Sequence, residues 1–230
     1  MLITPAMETA TYARHAYQAQ MADLEHKLLE MGSLAEQLIG DAAEALHHSS
    51  TPLARSVIDR DDEIDRLDLE IEAQCLALMA LQHPTATDFR IVGTILKMIT
   101  DIERVGDLCV DLAKIAIKVE AEFGEASTID IQHMVTVSRQ MFRGALEAYV
   151  KRDLALVHEV CELEQTVDRL YRELRAQVFA NMQSDANAVV VHGWLLLAIH
   201  HVERIADHAV NIVERVNFMV TGKFESLGNQ

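Results

Sequence analysis

The chain repeats itself, and that narrows its fold more than any other feature. Displaced by 103 positions, Asp65–Met79 (DRLDLEIEAQCLALM) lies on Asp168–Met182 (DRLYRELRAQVFANM) with eight identities in 15. The same displacement puts Ala42, Glu44 and Ala45 on Ala145, Glu147 and Ala148. Further along, the displacement falls to 100. Glu103-Arg104-Val105-Gly106-Asp107 then lies on Glu203-Arg204-Ile205-Ala206-Asp207, and Val110 on Val210. Self-similarity at a long fixed period marks one supersecondary unit used twice. The chain therefore reads as two similar halves, split near 121–129 and related by pseudo-symmetry.

Each half is helical. Apolar residues recur at helical spacing nearly throughout, and 3 Pro and 9 Gly in 230 residues are too few for the repeated tight turns of a sandwich or barrel. No GxGxxG, GxxxxGK[ST] or GxSxG string occurs, which removes the motif support for nucleotide-binding α/β folds and α/β-hydrolases. Six helices are expected. The first runs from Thr11 to Ser49. Ser50-Thr51-Pro52 then reads as a cap with proline at the first helical position. The second stops at Gln82, before Pro84, and the third runs from Thr85 to Glu120. Phe123–Thr128 is the linker, with Asp130 as the cap of a fourth helix ending near Lys151. The fifth runs from Asp153 to Gln183, Ser184–Asn187 is a turn, and the sixth ends at Gly222. The fold class is all-α: two tandem three-helix bundles, 1–122 and 128–224, followed by a tail, 225–230.

Charge and cysteine usage bound the function. Asp plus Glu is 36 against 20 Lys plus Arg, a net charge of −16. This argues against a duplex nucleic-acid partner, which needs clustered cations, and against docking on anionic lipid. It suits bound cations. Three cysteines with no CxxC give no disulfide framework, and the N-terminal stretch lacks the pattern of a signal peptide. The longest apolar run, Ala188–Ile199, holds His192 and Gly193 and is too short to span a bilayer. The chain reads as cytoplasmic, with no transmembrane segment.

The chemistry gathers in acid pairs. On a wheel of about 100° per residue, Ile95, Ile99, Ile102, Gly106, Cys109, Val110 and Ala113 form the buried stripe of the third helix. Glu103 falls about 40° from Ile99, inside that stripe; Asp107 lies at its edge and Asp111 outside it. Glu203 and Asp207 repeat the placement on the sixth helix. Asp61 and Asp65 form another i, i+4 pair on the second helix, and Glu164 and Asp168 hold the equivalent places on the fifth. With helices two and three antiparallel, Asp61 and Asp65 face Glu103 and Asp107. Four converging carboxylates repel one another and raise each other's pKa unless water, a basic side chain or a metal intervenes. Such an oxygen-rich site suits Mg, Mn, Fe or Zn as divalent or ferric ions. Asp68, Asp111, His200 and Asn211 are secondary candidates, His200 because it sits three residues before Glu203.

Blander readings compete. One acid pair among 36 acidic residues is ordinarily a solvated helix face or an arginine partner, and Arg104 and Arg204 stand beside the motif. The pairs recur at repeat-equivalent positions, which an isolated pair does not. His47 and His48 read as solvated, and His192, His201 and His208 as surface or core-edge residues. The cysteines and methionines read as core, and Trp194 as a packing or dimer contact. No Ser/His/Asp or Cys/His constellation can be argued.

With these strings in hand, the chain resembles the PhoU family of bacterial phosphate-signalling regulators. The resemblance is carried by DIERVGDLCVDLAKI at 101–115, HVERIADHAVNIVE at 201–214, LLEMG at 28–32, LQHPTATDFR at 81–90 and MVTGKF at 219–224. It covers nearly the whole chain. Asn211 departs from it, standing where Asp111 stands in the first half, as does Phe89 in place of a leucine. The resemblance implies a non-enzymatic homodimer, cytoplasmic and brought to the inner face of the membrane by its protein partners. Those partners are the ATPase subunit of a phosphate ABC transporter and a sensor histidine kinase. Together they restrain phosphate uptake and the phosphate-starvation regulon, with metal clusters at the acid motifs. The metal role is carried onto Asp61, Asp65, Glu103, Asp107, Glu164, Asp168, Glu203 and Asp207.

Two other classes are kept open. A di-iron carboxylate enzyme wants Glu-x-x-His on two helices, and only Glu44–His47 supplies that spacing. A metal-free helical interaction module predicts that chelation changes neither melting nor partner binding.

Overall fold

A computed structural model describes the backbone of residues 5–81, 85–123 and 129–228, and the side chains of that set apart from 5–13 and 81. It contains α1 (Pro5–His47), α2 (Thr51–Leu81), α3 (Ala86–Phe123), α4 (Gln132–Lys151), α5 (Leu154–Ser184) and α6 (Val189–Thr221), with a 3-10 turn at Ala186–Ala188. No strand occurs among the described residues. The chain is all-α, as the periodicity requires.

Helix ends differ from expectation where local chemistry decides them. α1 begins at Pro5, ahead of Thr11, since proline fits a first helical turn. It ends at His47 because Ser49 turns into the left-handed region at φ 48. Asp153 is the N-cap of α5 rather than its first residue, its side chain accepting from the Ala155 N–H at 2.8 Å. Asp130 accepts from the Gln132 N–H at 2.9 Å, one position ahead of the N-cap residue Ile131. Asp185 accepts from the Asn187 N–H, which winds the expected turn into 3-10 form. Gly222, at φ 73, ends α6 as expected. The Pro84 stop and nearly all of the 123–128 linker lie outside the described residues.

Within each half consecutive helices run antiparallel. Lys27–Glu70 and Arg60–Asp41, each at 2.5 Å, tie α1 to α2. The Thr51 N–H, donating to Glu120 at 2.9 Å, ties the start of α2 to the end of α3. In the second half, Asn181 and His192 meet at 3.0 Å across α5 and α6. The halves join through α1 against α4 and α3 against α6, leaving α2 and α5 on the outside. Glu36 of α1 holds Arg139 and Arg143 of α4. On the other seam, Asp101 of α3 accepts from Asn211 at 3.1 Å and meets His208 at 2.9 Å. The buried side chains of all six helices form one continuous apolar core. The accessible surface of 12102 Å² exceeds the roughly 10,400 Å² of a compact chain this size, consistent with an elongated bundle.

By length and composition alone, one segment among the described residues, Ala186–Thr221, is apolar enough to cross a membrane. In this fold it is α6, which packs on α3, α4 and α5 and buries Leu195, Ile199, Val202, Ile205 and Val213 in the core.

Candidate functional site

The first acid face lies along the α2–α3 groove. Asp61, Asp65 and Asp68 come from α2, Glu103 and Asp107 from α3. Gly106 makes the approach close: a Cβ there would stand 2.4 Å from Asp61 Oδ1 and 3.2 Å from Ile64 Cδ1. A side chain at 106 would make the Asp61 carboxylate shift from its place against the α3 backbone. That oxygen is buried without a hydrogen-bond partner. Burial first, then the charges of Asp65, Asp107 and Glu103, push the Asp61 carboxyl up to about 7. Burial and Asp107 raise Glu103, opposed by Arg104. Burial, Glu72 and Asp65 raise Asp68. Arg104 supplies the nearest compensation, 2.8 Å from Asp107 and 3.4 Å from Glu103, yet its own side chain is 57% exposed. An exposed pair of this kind offsets little of a buried charge.

The second face lies along α5 and α6. Glu164, His200, Glu203, Asp207 and Asn211 line one groove of about 540 Å³ with Arg204, His208, Val210, Glu214, Ser226 and Gly228. Burial, then Glu203 and Glu164, push the Asp207 carboxyl up to about 6 against the pull of His208 and Arg204. His200 Nδ1 and Glu203 Oε2 approach to 3.1 Å. Their angle is wrong for a hydrogen bond, and both atoms are buried without one.

The remaining candidates fall elsewhere. Asp168 is half-buried on α5 and does not line the groove. Asp111 pairs with Lys114 at 3.3 Å and faces a separate hollow beside Trp194 and His201. Asn211 reaches the groove, but its amide donates across the seam to Asp101. Asp101, His208 and Glu214 belong to this region as well. Their roles depend on α3–α6 packing and on the tail, which spacing within one helix does not reveal. Glu44 and His47 line another groove with Arg139 and Arg143, away from both acid faces, so the di-iron pattern gains no partner.

What the faces can do follows from their donors. Carboxylate oxygens buried without donors are the ligands a hard cation takes. Among the described residues, no three His, Cys, Asp or Glu side chains are gathered tightly enough to hold an ion as they stand. The fit is in charge, donor type and burial, and closing on an ion takes side-chain rotation within the groove.

The PhoU domain model matches residues 28–116 and again 131–216. The chain belongs to the PhoU family. Each matched span carries one acid face. A phosphate-specific transport system accessory protein PhoU homolog of Clostridium acetobutylicum is 34% identical over 211 residues, covering 91% of this chain and 96% of that relative. A PhoU homolog of the same description from Pseudomonas aeruginosa is 32% identical over 90% of this chain and 86% of its own length. The crystal structure of PhoU from Pseudomonas aeruginosa superposes with a TM-score of 0.86 at 31% identity, covering 90% of this chain and 100% of that one. That of the phosphate transport system regulatory protein PhoU from Streptococcus pneumoniae gives 0.84 at 25%, covering 91% and 99%. The tail from Gly222 onward lies beyond both PhoU-domain spans.

Proposed function

We propose that this PhoU-family chain is a non-enzymatic accessory protein of phosphate transport, restraining phosphate uptake and the phosphate-starvation response when phosphate is plentiful. The supporting observation is the match along the chain: relatives named phosphate-specific transport system accessory proteins align over about nine-tenths of both lengths. In this reading it acts in the cytoplasm as a homodimer. It is held at the inner face of the membrane by the ATPase subunit of a phosphate ABC transporter and by a sensor histidine kinase. Negative regulation suits an all-helical adaptor whose acid faces are placed for binding rather than for turnover.

The acid faces are the proposed metal sites. Asp61, Asp65, Glu103 and Asp107 would hold a cation on the first face, and Glu164, Glu203 and Asp207, with His200, on the second. A bound Fe, Mn, Zn or Mg ion supplies positive charge. The carboxylates, relieved of mutual repulsion, then pin α2 to α3 and α5 to α6, which fixes the outer helices that partners meet.

The test replaces Glu103→Ala together with Asp107→Ala and follows starvation-responsive expression with phosphate present. Derepression at normal protein levels is expected; full repression would remove the motif's regulatory role. Elemental analysis of untagged protein, with melts before and after chelation, tests the metal. One or more ions per chain and a melt lowered by chelation are expected. No metal and no shift would reduce the carboxylates to solvated or arginine-paired faces and leave the transport role standing.

A further inference from the structure

The chain beyond α6 doubles back along the helix it has just left. Gly222 turns it, its N–H donating to the Phe218 carbonyl at 2.7 Å. Phe224 stacks on Phe218 with ring centroids 3.8 Å apart and planes 13° from parallel. Asn217 Nδ2 meets Glu225 at 3.5 Å. Ser226 Oγ and the Leu227 N–H both donate to Glu214 Oε1, at 3.2 and 2.8 Å. Leu227 packs against the core. Gly228 settles over Val210 and Glu164, so close that a Cβ there would meet Val210 Cγ1 at 3.3 Å and Glu164 Oε1 at 3.4 Å. The partners step up α6 from 218 to 217, 214 and 210, toward Asp207. Ser226 and Gly228 thereby become part of the wall of the second acid groove.

The first face is arranged differently. The chain leaving α3 goes on to Ile129 and Ile131, both buried, and into α4, where Gln132 reaches the Ala43 carbonyl near the end of α1. Asp107 stands 16 residues before the end of α3, about 24 Å along the helix.

We infer that residues 222–228 are a strap that competes with divalent cations for the second acid face, with no counterpart over the first face among the described residues. This rests on the reading of the acid faces as cation sites. The chemistry is direct. Leu227 and Ser226 give Glu214 two donors, and Gly228 sits on Glu164. An ion drawing on Glu214 Oε1 competes with its two donors, and one drawing on Glu164 Oε1 competes with the backbone packed against it, whereas among the described residues the basic group paired to the first face is the exposed Arg104. The two halves, alike in fold, are therefore unequal in affinity. Loosening the strap tightens the weaker site by on the order of tenfold, the effect of removing one hydrogen bond to a charged group from the competition.

The experiment is a Mn²⁺ titration of the full chain, read by the resonance of the free aqua ion. Leu227→Ser and Phe224→Ser loosen the strap without adding charge. Asp61→Asn with Glu103→Gln marks the first face, and circular dichroism confirms that each variant is folded. Wild type is expected to show two affinity classes. The strap variants tighten the weaker one about tenfold and spare the stronger, while the first-face variant deletes the stronger only. Amide exchange gives a second readout: Leu227, protected in metal-free protein, opens at saturating Mn²⁺. Unchanged classes in both strap variants, weakened binding in them, or a Leu227 amide still protected at saturation would overturn the strap while cation binding stands. No Mn²⁺ binding by wild type would overturn the cation reading and the strap with it.

Discussion

Asp61 carries the most consequential single-residue chemistry in the molecule. Its carboxyl is pushed up to about 7 from an ordinary 3.8, by burial and then by Asp65, Asp107 and Glu103. A carboxyl raised in the fold binds its proton more tightly folded than unfolded, so its contribution to stability is present at acid pH and is lost as pH rises from about 4 through about 7. Metal-free protein should accordingly melt lower at pH 8 than at pH 5.5. Asp61→Asn should flatten that slope and raise the melt at pH 8 by about 2–4 °C, the shift of roughly 1 kcal/mol for a chain this size. Scanning calorimetry at the two pH values checks both, and a variant that melts lower at pH 8 would contradict the repulsion. Much of this was legible beforehand. Helical phase put Glu103 inside the apolar stripe and set Asp61 and Asp65 opposite it. The reason for Gly106 was not legible, since the atom its side chain would strike, Asp61 Oδ1, lies on another helix.

At the scale of elements, local signals marked the helices well and their long-range ties poorly. Gly222 acts on neighbours a few residues away, and its type alone announces the end it makes; Asp153, expected as the first residue of its helix, lies one position outside it as the cap. Ser50-Thr51-Pro52 reads as a self-contained cap, yet the partner of Thr51 is Glu120, whose carboxylate takes both the backbone N–H and the hydroxyl. Nothing near either residue betrays a contact 69 positions away. The fold-back of 222–228 was illegible for the same reason, because a segment without periodicity says nothing about where it lies. The Thr51–Glu120 tie joins the start of α2 to the last turn of α3, so Glu120→Ala leaves a helix start without its acceptor. The expected cost is about 1–2 kcal/mol, or about 2–8 °C in the melt. Amide exchange should show the loss as faster opening of the first turn of α2, with the acid face farther along the groove still protected.

For the whole molecule, the repeat foretold two halves, and packing shows why neither stands apart. α1 and α3 each serve two bundles, burying one side against their own half and another against α4 or α6. Gly32 illustrates the closeness: a Cβ there would lie 2.7 Å from Leu146 Cδ1 across the α1–α4 seam. The seam is also polar and specific, with Glu36 between Arg139 and Arg143 and Asp101 between His208 and Asn211. Separating the halves would expose the apolar sides of four helices and leave these charged groups without partners, each a cost that the other half now removes. Unfolding should therefore be one transition in calorimetry, with the calorimetric and van't Hoff enthalpies in agreement. Gly32→Leu, which wedges α1 from α4, should split it or shift it as a whole to lower temperature. Two well-separated transitions in the wild-type chain would show that the seam is weaker than its buried contacts imply. Because α3 touches both the first acid face and α6, a single transition would also mean that neutralising one face stabilises both halves together.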